Sequence, residues 1–104
     1  APGESSDTVR SRVIAAREQQ RKRLDGRGFR SNAEIPDAAL DELVDATTEA
    51  RALLGRAVEK LRLSARGARR LLRVARTIAD LSGERRVEAS AMAEALGYRR
   101  DEAR

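Results

Sequence analysis

The sequence predicts an all-α fold, a small bundle of four to five helices, on three observations. Eleven Leu and nineteen Ala dominate the apolar residues, and both are strong helix formers. The β-branched and aromatic residues that fill sheets are sparse: six Val, three Ile, one Phe, one Tyr and no Trp in 104 residues. Apolar positions recur at spacings of three and four inside blocks punctuated by Gly, Pro and Asp, which is the period of a helix with one buried face. A chain of this length holds one core.

The opening Ala1-Pro2-Gly3-Glu4-Ser5-Ser6 has no apolar period, so residues 1–5 are expected to be a linker and the chain a fragment of a longer protein. Ser5, Ser6 and Asp7 offer a cap, after which Val9, Val13, Ala16, Gln20 and Leu24 form a weakly apolar stripe. The stripe predicts a first helix that stops at Asp25-Gly26. Its last turn, Arg21-Lys22-Arg23, suits the negative end of the helix dipole and reads as a solvated turn. Residues 25–34 hold two glycines and no helical period, which predicts a loop pinned to the core by Phe29.

Pro36 fits the first position of a second helix, with Leu40, Leu43 and Val44 on one face. Thr47, Ala50, Leu54, Ala57, Val58 and Leu61 continue on another, and a joint near Asp45 separates two helices. Ser64 caps the next, whose face of Ala68, Leu71, Leu72, Ala75, Ile78 and Ala79 is continuous until Gly83 ends it. At about 100° per residue, Arg66, Arg69, Arg70, Arg73 and Arg76 fall opposite that face as a ladder of guanidinium groups. Five cations without an acidic partner on the same helix repel one another, so compensation from outside is expected. A short last helix from about Ala89 to Leu96 turns Met92 and Leu96 inward, with Gly97 as its cap and Tyr98 folding back. Residues 100–104 are expected to fray, which leaves 6–99 as the domain.

The absence of Cys and His removes disulfides, thiolate and imidazole chemistry and the usual zinc ligands. No pair of carboxylates sits in an apolar setting, every Asp and Glu reads as lying on a polar face, and no Ser has a base partner. No phosphate loop of the Gly-x-x-x-x-Gly-Lys-Ser/Thr kind is present. An enzyme is therefore not expected from this chain alone, and no metal site is expected. No apolar run reaches the roughly 20 residues that span a bilayer, which leads to the expectation of a cytoplasmic protein without a membrane partner. Net charge is +5, with residues 9–30 and 61–79 basic and 31–60 acidic, a balance that permits contact with phosphate. Arg66 stands apart in the ladder, because it lies in the first turn after Ser64, where unpaired backbone N–H groups and the positive helix end also favour an anion. Arg69, Arg70 and Arg73 are the further candidates for phosphate or partner contact.

Leu63-Ser64-Ala65-Arg66, followed by Arg70 through Leu81, resembles the C-terminal domain of magnesium-chelatase-like AAA+ ATPases. Val9 through Val13, Ala16-Arg17, Gln20, Asn32-Ala33, Ala93 through Leu96 and Tyr98-Arg99 agree in order, so the resemblance covers about Ser5 to Arg99 and is closest to the competence-associated branch. Gly67-Ala68-Arg69 departs from the aromatic or polar pair more usual after the arginine. The resemblance implies a helical lid beside the α/β nucleotide-binding core of the same chain, in a homo-oligomeric ring, a hexamer, with ATP and Mg2+ as the parent's cofactors. It makes Arg66 the sensor-2 residue that reaches ATP phosphate, with the other nucleotide-binding motifs outside this chain. The parent's substrate is left open between DNA, in branch migration, and the porphyrin and Mg2+ of the chelatase subunit. Beside the lid stand two other readings: an autonomous basic nucleic-acid-binding module, weak and strongly salt-dependent, and a bundle whose arginine face meets an acidic partner.

Overall fold

The computed structural model describes residues 5–102. Of the expected linker only Ser5 falls within them, and of the expected tail residues 103 and 104 lie outside. Five α-helices follow one another: α1 Ser6–Leu24, α2 Asp37–Val44, α3 Thr48–Leu61, α4 Ala65–Leu81 and α5 Ala89–Glu102, with a 3-10 turn at Asn32–Glu34. No strand is present among the described residues, only an isolated parallel bridge between Ala46 and Val87. The all-α bundle is the one expected.

The starts follow local chemistry. Ser5 Oγ accepts from the Thr8 N–H at 3.1 Å, Thr47 Oγ1 from Ala50 N–H at 3.1 Å and Ser64 Oγ from Gly67 N–H at 3.0 Å. Each such cap contributes about 1 kcal/mol to its helix. Pro36 precedes α2 as its N-cap, one residue earlier than its expected place inside the helix. The joint between α2 and α3 falls where expected. Asp45 takes the left-handed conformation at φ 52°, and two backbone bonds hold that turn, Val87 N–H to Asp45 O at 3.1 Å and Thr47 N–H to Val87 O at 2.9 Å. Gly26 and Gly83 supply positive φ just past the ends of α1 and α4.

α4 is the axis of the bundle, with α5, α1, α2 and the 3-10 turn packed around it. Leu71, Leu72, Ala75, Ile78 and Ala79 are buried there against Leu24, Ile35, Leu40, Val44, Leu54, Val87 and Met92, and Phe29 packs on this core from the loop as expected. Full burial of each Leu, Ile or Met contributes about 1.5–3 kcal/mol.

Two expectations fail here. α5 passes through Gly97 to Glu102 instead of stopping at Leu96, and Tyr98 lies 53% exposed on it with its hydroxyl 3.3 Å from Glu94 Oε2. Gly97 has ordinary negative φ and open space around it, so nothing at that point forces a stop. α1 buries only Ala16 and Leu24, leaving Val9 and Ile14 exposed.

Candidate functional site

Four of the five arginines of α4 divide into three groups. Asp37, at the start of α2, takes two of them: Arg69 Nε lies 3.0 Å from its Oδ2 and Arg73 Nη2 lies 2.8 Å from its Oδ1. Arg73 also donates to the Ile35 carbonyl at 2.7 Å. The Arg73 hydrogen bond holds the Asp37 carboxyl below its ordinary value, with the charges of Arg69 and Arg73 acting in the same direction and partial desolvation against them. The compensation expected from outside α4 therefore comes from one carboxylate on the facing helix.

Arg76 belongs to the interior. Its side chain is fully out of solvent, where Nη1 donates to the carbonyls of Val44 (2.9 Å) and Arg85 (3.1 Å) and Nη2 to that of Glu84 (2.9 Å). One turn on, Asp80 Oδ1 sits 3.1 Å from Nη2. Burial pulls the Arg76 guanidinium below its ordinary pKa, Asp80 pulls it back up and Arg23 pulls it down again. Asp80, 2% exposed, also takes both Nη atoms of Arg23 from α1 and the Asn32 amide at 3.0 Å. Asn32 is itself held by Thr77 Oγ1 at 3.0 Å and by Gln20 Oε1, which accepts its backbone N–H at 3.2 Å.

This cluster corrects three expectations. Arg76 is not on a solvated ladder, Asp80 is not on a polar face and supplies a same-helix partner, and Arg23 does not end in solvent with the rest of its turn. The physical reason is common to all three. A helix wrapped on one side buries one face, whereas α4 is wrapped by four elements and buries its flanks as well. The spacing of Arg76 and Asp80, four residues apart with the cation first, is the one sequence signal that pointed to the pair.

Arg66 remains. It lies in the first turn of α4, exposed and without a hydrogen bond or ion pair among the described residues. Ser64 satisfies the Gly67 N–H, and the amides of Ala65 and Arg66 have no intrahelical acceptor. Arg70 lines a cleft of about 470 Å³ between α4 and α5, floored by Leu71 and Val74 and rimmed by Tyr98. A second, basic groove of about 640 Å³ runs between α1 and the loop after it, lined by Arg17, Arg21, Phe29 and Arg30. Among the described residues no group of three or more carboxylates is placed to hold a metal ion, and no helix is long and apolar enough to cross a membrane.

The described residues form a helical bundle packed around α4, with Arg66 exposed in the first turn of that helix. The family described as "Magnesium chelatase, subunit ChlI C-terminal" matches residues 3–99, and the chain belongs to that family. It is 39% identical over 104 residues to the Mycobacterium tuberculosis protein Rv2897c, covering all of this chain and 21% of that one. It is 38% identical over 97 residues to the competence protein ComM of Haemophilus influenzae, covering 93% of this chain and 18% of that protein. YifB of Escherichia coli is 39% identical over 98 residues, with 94% of this chain and 19% of that one covered. The chain thus spans about a fifth of the length of the relatives it matches, and its likeness to ComM and YifB agrees with the competence-associated branch. No solved structure matches significantly.

Proposed function

We propose that this domain is the lid of a magnesium-chelatase-like AAA+ ATPase and that Arg66 is its contact to ATP phosphate. The observation that carries the reading is the division of the α4 arginines: Asp37 holds Arg69 and Arg73, the core holds Arg76, and Arg66 alone of these four is left reaching outward from a helix start. A guanidinium there combines a permanent charge and a forked donor set with the positive end of the helix, which is the chemistry an anionic phosphoryl oxygen selects. ATP with Mg2+, bound by the core of the parent, supplies the phosphoryl group to be transferred to water. Arg66 would stabilise charge on it, and α4 would carry the displacement into the rest of the bundle.

One contact without a phosphate loop is too little for affinity, so the 104-residue chain should bind ATP feebly. The decisive experiment is turnover and nucleotide affinity of the full-length parent with Arg66→Ala at fixed ionic strength. Collapse of turnover with nucleotide still bound supports the sensor role. Unchanged turnover refutes it.

A second reading rests on the groove of Arg17, Arg21 and Arg30: the parent works on DNA, and this groove takes phosphates of the strand. Binding of an oligonucleotide by the chain, with a salt dependence that flattens when the three arginines become Gln, tests it.

A further inference from the structure

Asp37 holds its two arginines unequally. Arg73 Nη2 donates to Asp37 Oδ1 at 2.8 Å and to the Ile35 carbonyl at 2.7 Å, so its guanidinium is tied to the start of α2. Arg69 meets the same carboxylate as an ion pair, with Nε 3.0 Å from Oδ2, and none of its donors makes a hydrogen bond to a described residue. Its side chain is also the more open of the two, 37% exposed against 23%. Arg69 is therefore drawn to one place by Asp37 while its Nη pair is left for another acceptor.

The turn toward which those donors lean is the one that starts α4. Side chains on a helix tilt toward its N-terminus, so Arg69 tilts toward the turn that holds Arg66. At about 100° per residue the two stand about 60° apart around the helix, and residues at this spacing have Cβ atoms about 5–6 Å from each other. Side chains as long as arginine can meet a common acceptor from there. Two guanidinium groups so close repel one another, and the Asp37 carboxylate, kept ionised first by the Arg73 hydrogen bond, offsets that repulsion. A donor ordered beforehand by an internal partner also loses less freedom when an anion arrives.

We infer that Arg69 is a second contact to the phosphoryl group that Arg66 meets, and that Asp37 is the residue that positions it. The inference rests on the sensor reading above and adds a specificity to it. ATP carries a terminal phosphoryl group that ADP lacks, so two guanidinium forks aimed at that group separate the two nucleotides more sharply than one. Arg73 has no part in this contact, because its guanidinium is turned to Asp37 and Ile35. The α4 ladder then works in pairs of turns: one arginine free, the next held beside it, and the third fastening the carboxylate that does the holding.

Affinities of the full-length parent for a non-hydrolysable ATP analogue with Mg2+ and for ADP, at fixed ionic strength, test the inference. Arg69→Gln should weaken the analogue by about tenfold, as expected for one charge-assisted hydrogen bond, and ADP by about twofold or less. Asp37→Asn, which keeps Arg69 but no longer holds it, should lose about threefold of the same selectivity and add nothing on top of Arg69→Gln, since it acts through that residue. Asp37→Glu should recover part of what Asp37→Asn loses. A purely structural role for the Asp37 contact lowers the melting temperature and leaves the ratio of the two affinities unchanged, and that result overturns the positioning. An unchanged ratio in Arg69→Gln overturns the second contact. The sensor role is read separately from Arg66→Ala in the same assays: a loss there with Arg69→Gln silent removes this inference and leaves the sensor standing, whereas silence of both removes both.

Discussion

Arg76 and Asp80 stand one turn apart on α4, both fully out of solvent, with Nη2 and Oδ1 3.1 Å apart. They are not a self-contained pair. Asp80 also serves Arg23 from α1, so two guanidinium groups share one carboxylate, and the other Nη donors of Arg76 go to three backbone carbonyls, while its buried Nε has no hydrogen-bond partner among the described residues. Those carbonyls come from the end of α2 and the turn after α4. One charged cluster therefore ties α1, α2, α4 and the approach to α5 together.

Removal of Asp80 leaves a buried guanidinium and a part-buried one without their carboxylate, which is where large losses arise. Asp80→Asn should destabilise the chain by about 3–5 kcal/mol, since the buried Arg76 and the part-buried Arg23 lose the carboxylate they share. Urea unfolding followed by circular dichroism measures this. A loss under 1 kcal/mol would mean that Arg23 and Arg76 find another anion or water.

Arg76→Lys should also destabilise, by about 2 kcal/mol or more, although charge is kept. An ammonium is a compact point charge, and it cannot reproduce the planar fork that meets the carbonyls of Val44, Glu84 and Arg85. The same unfolding experiment separates the two: a purely electrostatic role predicts that Arg76→Lys behaves as wild type, and the carbonyl geometry predicts that it does not.

The pH dependence of the α2–α4 contact has a definite sign. Asp37 has its folded-state pKa lowered, first by the hydrogen bond from Arg73, so its contribution to stability is present above the unfolded value and is lost as pH falls through the folded value. Asp37→Asn should therefore be less stable than wild type at pH 7, with the difference shrinking at pH values below about 4 and vanishing once the wild-type carboxyl is protonated. Thermal melts of both proteins from pH 7 to 2 follow the convergence. Because Asp37 is exposed, added salt should narrow the gap at pH 7.

The helical fold was legible because the signals used were local. Ser64 before Ala65, Gly83 after Leu81, and Asp45 with Thr47 between two apolar stripes each act within a few residues, and each boundary formed where that chemistry put it. The position of Arg66, exposed in the first turn of α4, was legible for the same reason, being set by its distance from a cap. The buried cluster was not, because the burial of Arg76 and Asp80 depends on which elements wrap α4, a relation between residues up to 57 positions apart. Periodicity gives a helix one face, and a central helix has more than one. Gly97 misled in the opposite direction: its frequency just past helix ends made it look like a stop, yet a glycine with negative φ only weakens a helix and does not end one.

That last distinction makes a prediction that separates the glycines by backbone rather than by identity. Gly55 in α3 and Gly97 in α5 have ordinary helical φ, and a Cβ built on either meets nothing within 4 Å. Alanine at each should stabilise the chain by about 0.5–1 kcal/mol, mainly by restricting the unfolded state, and the two effects should add because the sites do not share partners. Gly83 has equally open space but φ of +73°, so there a Cβ is disfavoured by the backbone itself, and Gly83→Ala should destabilise by about 1 kcal/mol. Melting curves for the three single variants and the Gly55→Ala, Gly97→Ala double variant decide the matter. If Gly97→Ala destabilised like Gly83→Ala, the chain at residue 97 would be turning out of the helix, and the continuation of α5 to Glu102 would be refuted.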